Sequence, residues 1–194
     1  MEEIELQKVD KGTPLAEDLL NFVKNFSWLD VKEHTVRVLE NWEFEEWETP
    51  FVAIVNGQIV GMTTIMKSDY YPLPEIFPWI STLFVSEDYR GNRISGKLID
   101  FANQYAKSIG FDKTYIPTEF IGLYEKYGYC YVKDIVNYGN GIDRLYVREI
   151  KSYPFLVGVK LCSEKTRGDD PISGKPPINT FGAVEPALSF CTGL

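Results

Sequence analysis

Residues 79–128 read WISTLFVSEDYRGNRISGKLIDFANQYAKSIGFDKTYIPTEFIGLYEKYG, and this stretch decides the fold. Its opening run, Trp79 to Val85, is apolar and rich in β-branched and aromatic residues, the composition of a buried strand. A polar turn follows, Ser86-Glu87-Asp88-Tyr89, and then Arg90-Gly91-Asn92-Arg93-Ile94-Ser95-Gly96. From there Ile94, Leu98, Ala102, Tyr105, Ala106 and Ile109 recur at helical spacing. The spacing predicts a helix with one apolar face, and Gly110 is its stop signal.

A strand, a turn containing Gly and Arg, and a helix together suit anion capture. The first N–H groups of a helix have no intrahelical partner, and the helix dipole adds positive potential there. A phosphate can be held by that main chain if small residues let it approach. Gly91, Ser95 and Gly96 are small, and Arg90 and Arg93 add charge. An ordinary strand-to-helix turn with basic neighbours fits the same residues, because short Gly motifs are common.

The turn YRGNRISGKL, the helix behind it and Leu123-Tyr124-Glu125-Lys126-Tyr127-Gly128-Tyr129 about thirty residues on resemble the GNAT superfamily of acyl-CoA-dependent N-acyltransferases. The resemblance covers roughly residues 1–150. The family's turn follows Arg/Gln-x-x-Gly-x-Gly/Ala and binds the CoA pyrophosphate. Arg90 matches its first position. Arg93 stands where the family has Gly, and Ser95 where it has Gly or Ala, with Gly96 immediately after. With a negative φ at Arg93 the first departure would be harmless, and its guanidinium could pair with a phosphate.

The resemblance implies an α/β (α+β) fold in three layers: a central mixed, mostly antiparallel twisted sheet flanked by helices. It implies acetyl-CoA as co-substrate, bound at Arg90, Gly91, Asn92, Arg93, Ile94, Ser95, Gly96 and Lys97. It also implies that the backbone of Leu83, Phe84 and Val85 pairs with pantetheine, in a gap opened against the next strand. One of those amides would polarise the thioester carbonyl. Tyr124 would give a proton to the leaving thiolate, or else only pack against pantetheine. Many family members place an Asn at the end of the strand after the helix. Here that place holds Pro117, Thr118 and Glu119, so no such contact is assigned.

The chain has 194 residues, 44% of them hydrophobic and 14% aromatic, which is enough for one domain with a good core and excludes a disordered chain. The formal charge of −8 argues against a general nucleic-acid binder and favours cationic amines as partners. The acidic start MEEIELQKVD has no apolar core like that of a secretory signal, and no apolar run is long enough to span a bilayer. Cys130, Cys162 and Cys191 are widely spaced, with no C-x-x-C, and read as reduced thiols in a cytoplasmic protein with no zinc site. The single histidine, His34, excludes metal sites built on several histidines, and its surroundings suggest a structural or surface role.

Read in order, Ile4–Val9 alternates as a half-buried strand should. Thr13-Pro14 caps and opens a helix with Leu15, Leu19, Phe22, Val23 and Phe26 on its face. A second helix from Asp30 turns Leu29, Val36, Leu39 and Trp42 inward. By the resemblance Phe26, Trp28 and Leu29 border the acceptor site; a core role fits them equally. Glu40–Glu48 carries five carboxylates among Trp42, Phe44 and Trp47. It is either a pocket for a cationic amine or a solvated helix end with its aromatics packed inward, the second being favoured. Phe51–Val55 and Ile59–Met66 form a hairpin through Asn56-Gly57. Three prolines bar regular structure in Ser68–Pro78, where Tyr70, Tyr71, Glu75 and Phe77 are candidates for substrate selection.

Asp112–Ile116 reads as a strand that Pro117 ends, and Tyr129–Ile135 and Asp143–Ile150 as a closing pair. Residues 1–151 are thus expected to form the acetyltransferase domain, with 152–194 an extension of unknown role. Phe155–Leu161 could be one more strand. The extension either docks, on the core or on a second subunit in a homodimer, or simply wraps; both readings stand. For the general base, Glu119 is the nearest acidic candidate and Glu75 the next, while a base acting through water or none at all remains open. Two functions follow: N-acetyl transfer to a small-molecule or peptide amine, or a catalytically silent CoA-binding or interaction module.

Overall fold

The computed structural model describes residues 3–150. Seven strands, β1 Glu5–Lys8, β2 Thr49–Val55, β3 Gln58–Met66, β4 Trp79–Val85, β5 Lys113–Thr118, β6 Cys130–Val136 and β7 Ile142–Glu149, form one sheet in the order β1-β2-β3-β4-β5-β7-β6. Every neighbouring pair is antiparallel except β4–β5. This is the mixed, mostly antiparallel sheet that the resemblance implies. The extension 152–194, with the strand expected at Phe155–Leu161, lies outside the described residues.

Three helices, α1 Pro14–Lys24, α2 Leu29–Asn41 and α3 Ile94–Ser108, cover the sheet. Alternate residues of a strand point to opposite faces, so β2 serves two cores at once. Phe51, Ala53 and Val55 pack with Leu98, Ile99, Ala102 and Ala106 of α3. Val52 packs with Met62, Phe84 and the Leu19, Val23 and Leu39 side chains of α1 and α2. Burial on both faces explains why β2 is an almost unbroken apolar run. Each fully buried large side chain contributes about 1.5–3 kcal/mol.

Local signals act where they were expected. Thr13 caps α1 by accepting from the Ala16 N–H at 3.3 Å, and Pro14 fills the first turn. Asn56 (φ 51°) and Gly57 (φ 76°) both adopt the left-handed backbone that a two-residue hairpin requires. Two expectations fail. Leu29 is 70% exposed and does not face the core; Thr35, Val38 and Leu39 are the buried positions of α2. Pro117 does not end β5, which runs to Thr118 with Pro117 opposite Leu145 of β7. The Tyr115 N–H points to β4, where it meets the Pro78 carbonyl at 3.0 Å. Two residues on, the N–H that Pro117 lacks would face the same side, where β4 has already departed.

That departure creates the site. β4 and β5 pair at Trp79↔Tyr115 alone. Further along, β4 carries a bulge: Thr64 lies opposite Ser81 and Met62 opposite Phe84, so Thr82 and Leu83 together face Thr63. Thr82 has φ 49°, a left-handed conformation that is strained for a β-branched residue. A bulge bends its strand and adds twist, which carries β4 away from β5.

Candidate active site

The opened strands lead into a cleft of about 1600 Å³ that runs across the sheet. Its two halves are built differently.

The first half is formed by β4, the turn after it and β5. The Ser86 N–H donates to the Val60 carbonyl of β3, so at Ser86 and Phe84 the peptide groups face β3. Those of Leu83 and Val85 alternate to the opened edge. The Val85 carbonyl accordingly accepts from Arg90 Nε at 3.0 Å. Arg90 also pairs with Glu87 at 2.8 Å, and Glu87 in turn accepts from Ser27 at 2.5 Å. These bonds, with Ser27 first, hold the Glu87 carboxyl below its usual range. Arg90 therefore braces the turn and is not wholly free for an anion. Asn92 braces it too, donating to the Tyr89 carbonyl at 3.1 Å.

The start of α3 is bare. Among the described residues no side chain caps it, and no acid lies in its first turn, whereas α1 has both Thr13 and Glu17. Bare N–H groups with the dipole behind them form an anion site. Arg93 stands at the cap with φ 60°, not the negative value that would make the departure from Gly harmless. The position is one where Gly would cost less. Of the expected cofactor residues, Leu83, Phe84, Val85, Arg90, Gly91, Arg93, Ile94, Ser95 and Tyr124 line the cleft. Asn92, Gly96 and Lys97 are not part of that lining.

Gly96 has a different reason to be small. A Cβ there would come within 2.8 Å of the Tyr127 ring, and Tyr127 OH bonds Ser95 Oγ at 2.8 Å. The two sequence motifs touch, and Gly96 is the residue that lets them. Tyr124 opens the short 3-10 helix Tyr124–Tyr127 and is 8% exposed. Burial pushes its phenol up to about 12, so it is a protonated donor at neutral pH. Glu119 lines the cleft as an exposed residue just beyond β5.

The second half gathers Trp28 and His34 from the α1–α2 region, Asp69, Tyr70 and Tyr71 from the loop before β4, Ser81 of β4, and Asn137, Tyr138 and Asp143 around the β6–β7 turn. Tyr71 stacks on Trp79, with ring centroids 5.6 Å apart, and donates to Asp143 at 2.8 Å. Burial first, then Asp143, raises the Tyr71 phenol far above its ordinary value. Ser81 donates to Asp69, whose other oxygen accepts from the Tyr70 N–H at 2.5 Å. Burial raises the Asp69 carboxyl above the usual carboxylate range against these bonds.

Other expected acceptor residues divide. Tyr70, Tyr71 and Trp28 line the cleft; Glu75, Phe77 and Leu29 do not, and Phe77 packs edge-on against Phe111. Phe26 stacks on Phe84 at 4.0 Å inside the core. Within ENWEFEEWE the inward packing is seen at the two tryptophans. Trp42 and Trp47 pack inward on opposite faces of the sheet, while Glu43, Glu45, Glu48 and Phe44 reach the cleft. Glu48 is occupied there by the N–H groups of Glu45 and Lys67, at 2.8 and 2.6 Å. Asp69, Asp143 and Asn137 were missed. Their partners lie 12, 72 and 6 residues away in sequence, and no local pattern marks them.

Known proteins agree with this geometry. A family model described as acetyltransferase (GNAT) family matches residues 16–129. N-alpha-acetyltransferase 30 of Schizosaccharomyces pombe is 26% identical over 137 residues, 67% of this chain and 91% of that protein. Two solved structures share the fold. Aminoglycoside 6'-acetyltransferase type Ii has a TM-score of 0.60 at 18% identity, covering 77% of this chain and 99% of its own. An aminoglycoside 6'-N-acetyltransferase complexed with coenzyme A has a TM-score of 0.59 at 16% identity, covering 78% and 99%. With strands opened beside an uncapped helix start and a family match spanning most of the domain, the chain belongs to the GNAT acetyltransferase family and is an acetyl-CoA-dependent acetyltransferase.

Proposed function

We propose that the protein moves the acetyl group of acetyl-CoA to the primary amine of an acceptor by direct attack in a ternary complex. The observation that carries this reading is the β4–β5 opening, which joins the bare start of α3, the outward peptide groups of Leu83 and Val85, and Tyr124 in one cleft. In it the CoA pyrophosphate meets the N–H groups at the turn and the charge of Arg93. Pantetheine pairs with the free edge of β4 as an added strand would. An amide of that edge polarises the thioester carbonyl, and Tyr124 protonates the departing sulfur. Glu119 lines the same cleft and is a candidate base.

The acceptor is a small-molecule or peptide amine. The names of the similar proteins, an N-alpha-acetyltransferase and aminoglycoside acetyltransferases, support both kinds. A cytoplasmic location goes with the reading, as does the acidic charge that favours amines.

The test is thiol release from acetyl-CoA, followed with DTNB across polyamines, aminoglycosides, amino acids and short peptides, beside calorimetric titration of CoA. CoA binding with amine-dependent release is the expected result. Binding without release from any amine would favour the silent CoA-binding module.

A further inference from the structure

Two carboxylates of the acceptor half have no role in the proposal above. Asp69 and Asp143 line the cleft, and neither takes part in an ion pair among the described residues. Asp143 is held through one oxygen, which accepts from both Tyr71 at 2.8 Å and Asn137 at 2.9 Å. Asp69 is held differently. Ser81 Oγ donates to one oxygen and the Tyr70 N–H to the other. A carboxylate oxygen can accept more than one bond, so each retains a free lone pair. The anchor also fixes its place. Ser81 is the last residue of β4 before the bulge at Thr82 and Leu83. A carboxylate from the loop before β4 is thereby tied to the strand whose outward peptide groups face the opened edge, on the acceptor side. Glu119 stands beyond β5 as an exposed residue.

We infer that Asp69 is the general base of the acetyl transfer: it binds the acceptor's ammonium group and removes one proton from it. This rests on the acetyl-transfer reading above. The proton passes from nitrogen to an Asp69 oxygen, and the freed lone pair attacks the thioester carbonyl carbon. The C–N bond forms, and the C–S bond breaks as the tetrahedral intermediate collapses. The second proton lost from nitrogen ends, in net, on the CoA sulfur by way of Tyr124, while Asp69 returns its proton to solvent. One ammonium and one thioester thus give one amide, one thiol and one released proton.

The groups around Asp69 set the pH at which this works. Burial and Asp143 of β7 favour its protonated form; Ser81 of β4, the Tyr70 N–H and His34 of α2 favour the carboxylate. Tyr71 stands beside both carboxylates. Burial is the largest influence, which brings the group nearer the pH range in which a base is effective. The base is active when ionised, so the rate falls as pH drops through the Asp69 value.

The experiment uses the full chain, acetyl-CoA and four amine probes: phenethylamine, spermidine, kanamycin and a hexapeptide with a free amino terminus. Thiol release is followed across pH, with CoA affinity measured on every variant. Asp69→Asn is expected to lower kcat by about 10²-fold or more and to abolish the acidic limb of the profile, leaving the CoA Kd unchanged. Ser81→Ala removes a bond that favours the carboxylate, so it is expected to move the acidic limb to higher pH while retaining activity on the alkaline side. An Asp69→Asn variant with turnover within a few-fold of wild type, or with its acidic limb intact, overturns the inference. If Asp69→Asn does not fold, an unmoved limb in Ser81→Ala overturns it instead. A wild type that binds no CoA would strike the acetyl-transfer reading and this one with it. A wild type that transfers while Asp69→Asn is unimpaired would strike this one alone.

Discussion

The two halves of the cleft are assembled from different sequence distances. The CoA half is nearly contiguous: β4, the turn and the start of α3 occupy residues 79–97, with Tyr124 and Tyr127 arriving a short way downstream. The acceptor half is drawn from residues 28–48, 68–74 and 137–143, and its bonds cross the whole domain, as Tyr71 to Asp143 does. A contiguous strand-turn-helix is fixed by local backbone geometry, which suits the donor proposed above, shared by every acceptor. A wall of loops from separate places can vary without disturbing the sheet, which suits selection of an acceptor.

That contrast predicts that changes in one half leave the other's ligand alone. The largest effect expected in the CoA half is from Tyr124→Phe, with kcat reduced about ten-fold or more, general acids contributing roughly 10²–10⁴-fold. Steady-state kinetics with the best acceptor checks it, and unchanged turnover would remove Tyr124 from the chemistry. Gly96→Val forces a side chain into the Tyr127 ring and is expected to cost about 1–3 kcal/mol. Thermal unfolding would read this as a lower Tm, about 2–4 °C for each kcal/mol at this domain size. Tyr71→Phe removes the donor to Asp143. It is expected to raise the acceptor KM several-fold, for a bond worth about 1 kcal/mol, with the CoA Kd unmoved. A change in CoA affinity instead would erase the division between the halves. Arg93→Gly is the smallest and the sharpest. Relief of the left-handed backbone raises stability by less than about 1 kcal/mol, because the more flexible unfolded chain offsets part of the gain. Loss of the charge weakens CoA binding, most at low salt, so calorimetry and unfolding should move in opposite directions.

Much of the fold was legible because its signals are local. Trp79–Val85, the Asn56-Gly57 hairpin and the Thr13-Pro14 start lie where short-range pattern and turn chemistry put them. What was not legible depended on geometry beyond the local pattern. Pro117 forbids a strand only if its missing N–H was needed, and whether it was depends on the course of β4. Leu29 looks like a core residue until the turn of α2 points it outward. Gly96 has a packing reason to be small that shows only once Tyr127 is seen above it. For Pro117 and Gly96 the deciding neighbour is distant in the chain; for Leu29 it is the phase of its own helix.

By itself, the sequence determined the individual strands and the three helices, because periodicity, caps and turn residues act over a few positions; the sheet and the family were legible through the resemblance carried by the strand-turn-helix and residues 123–129. The tertiary structure alone decided that the bulge falls at Thr82 and Leu83, that the left-handed position falls on Arg93, and that Asp69 meets Ser81 in the acceptor wall. Strand divergence and long-range hydrogen bonds follow from how the whole sheet twists and packs, and no short window of residues contains that information.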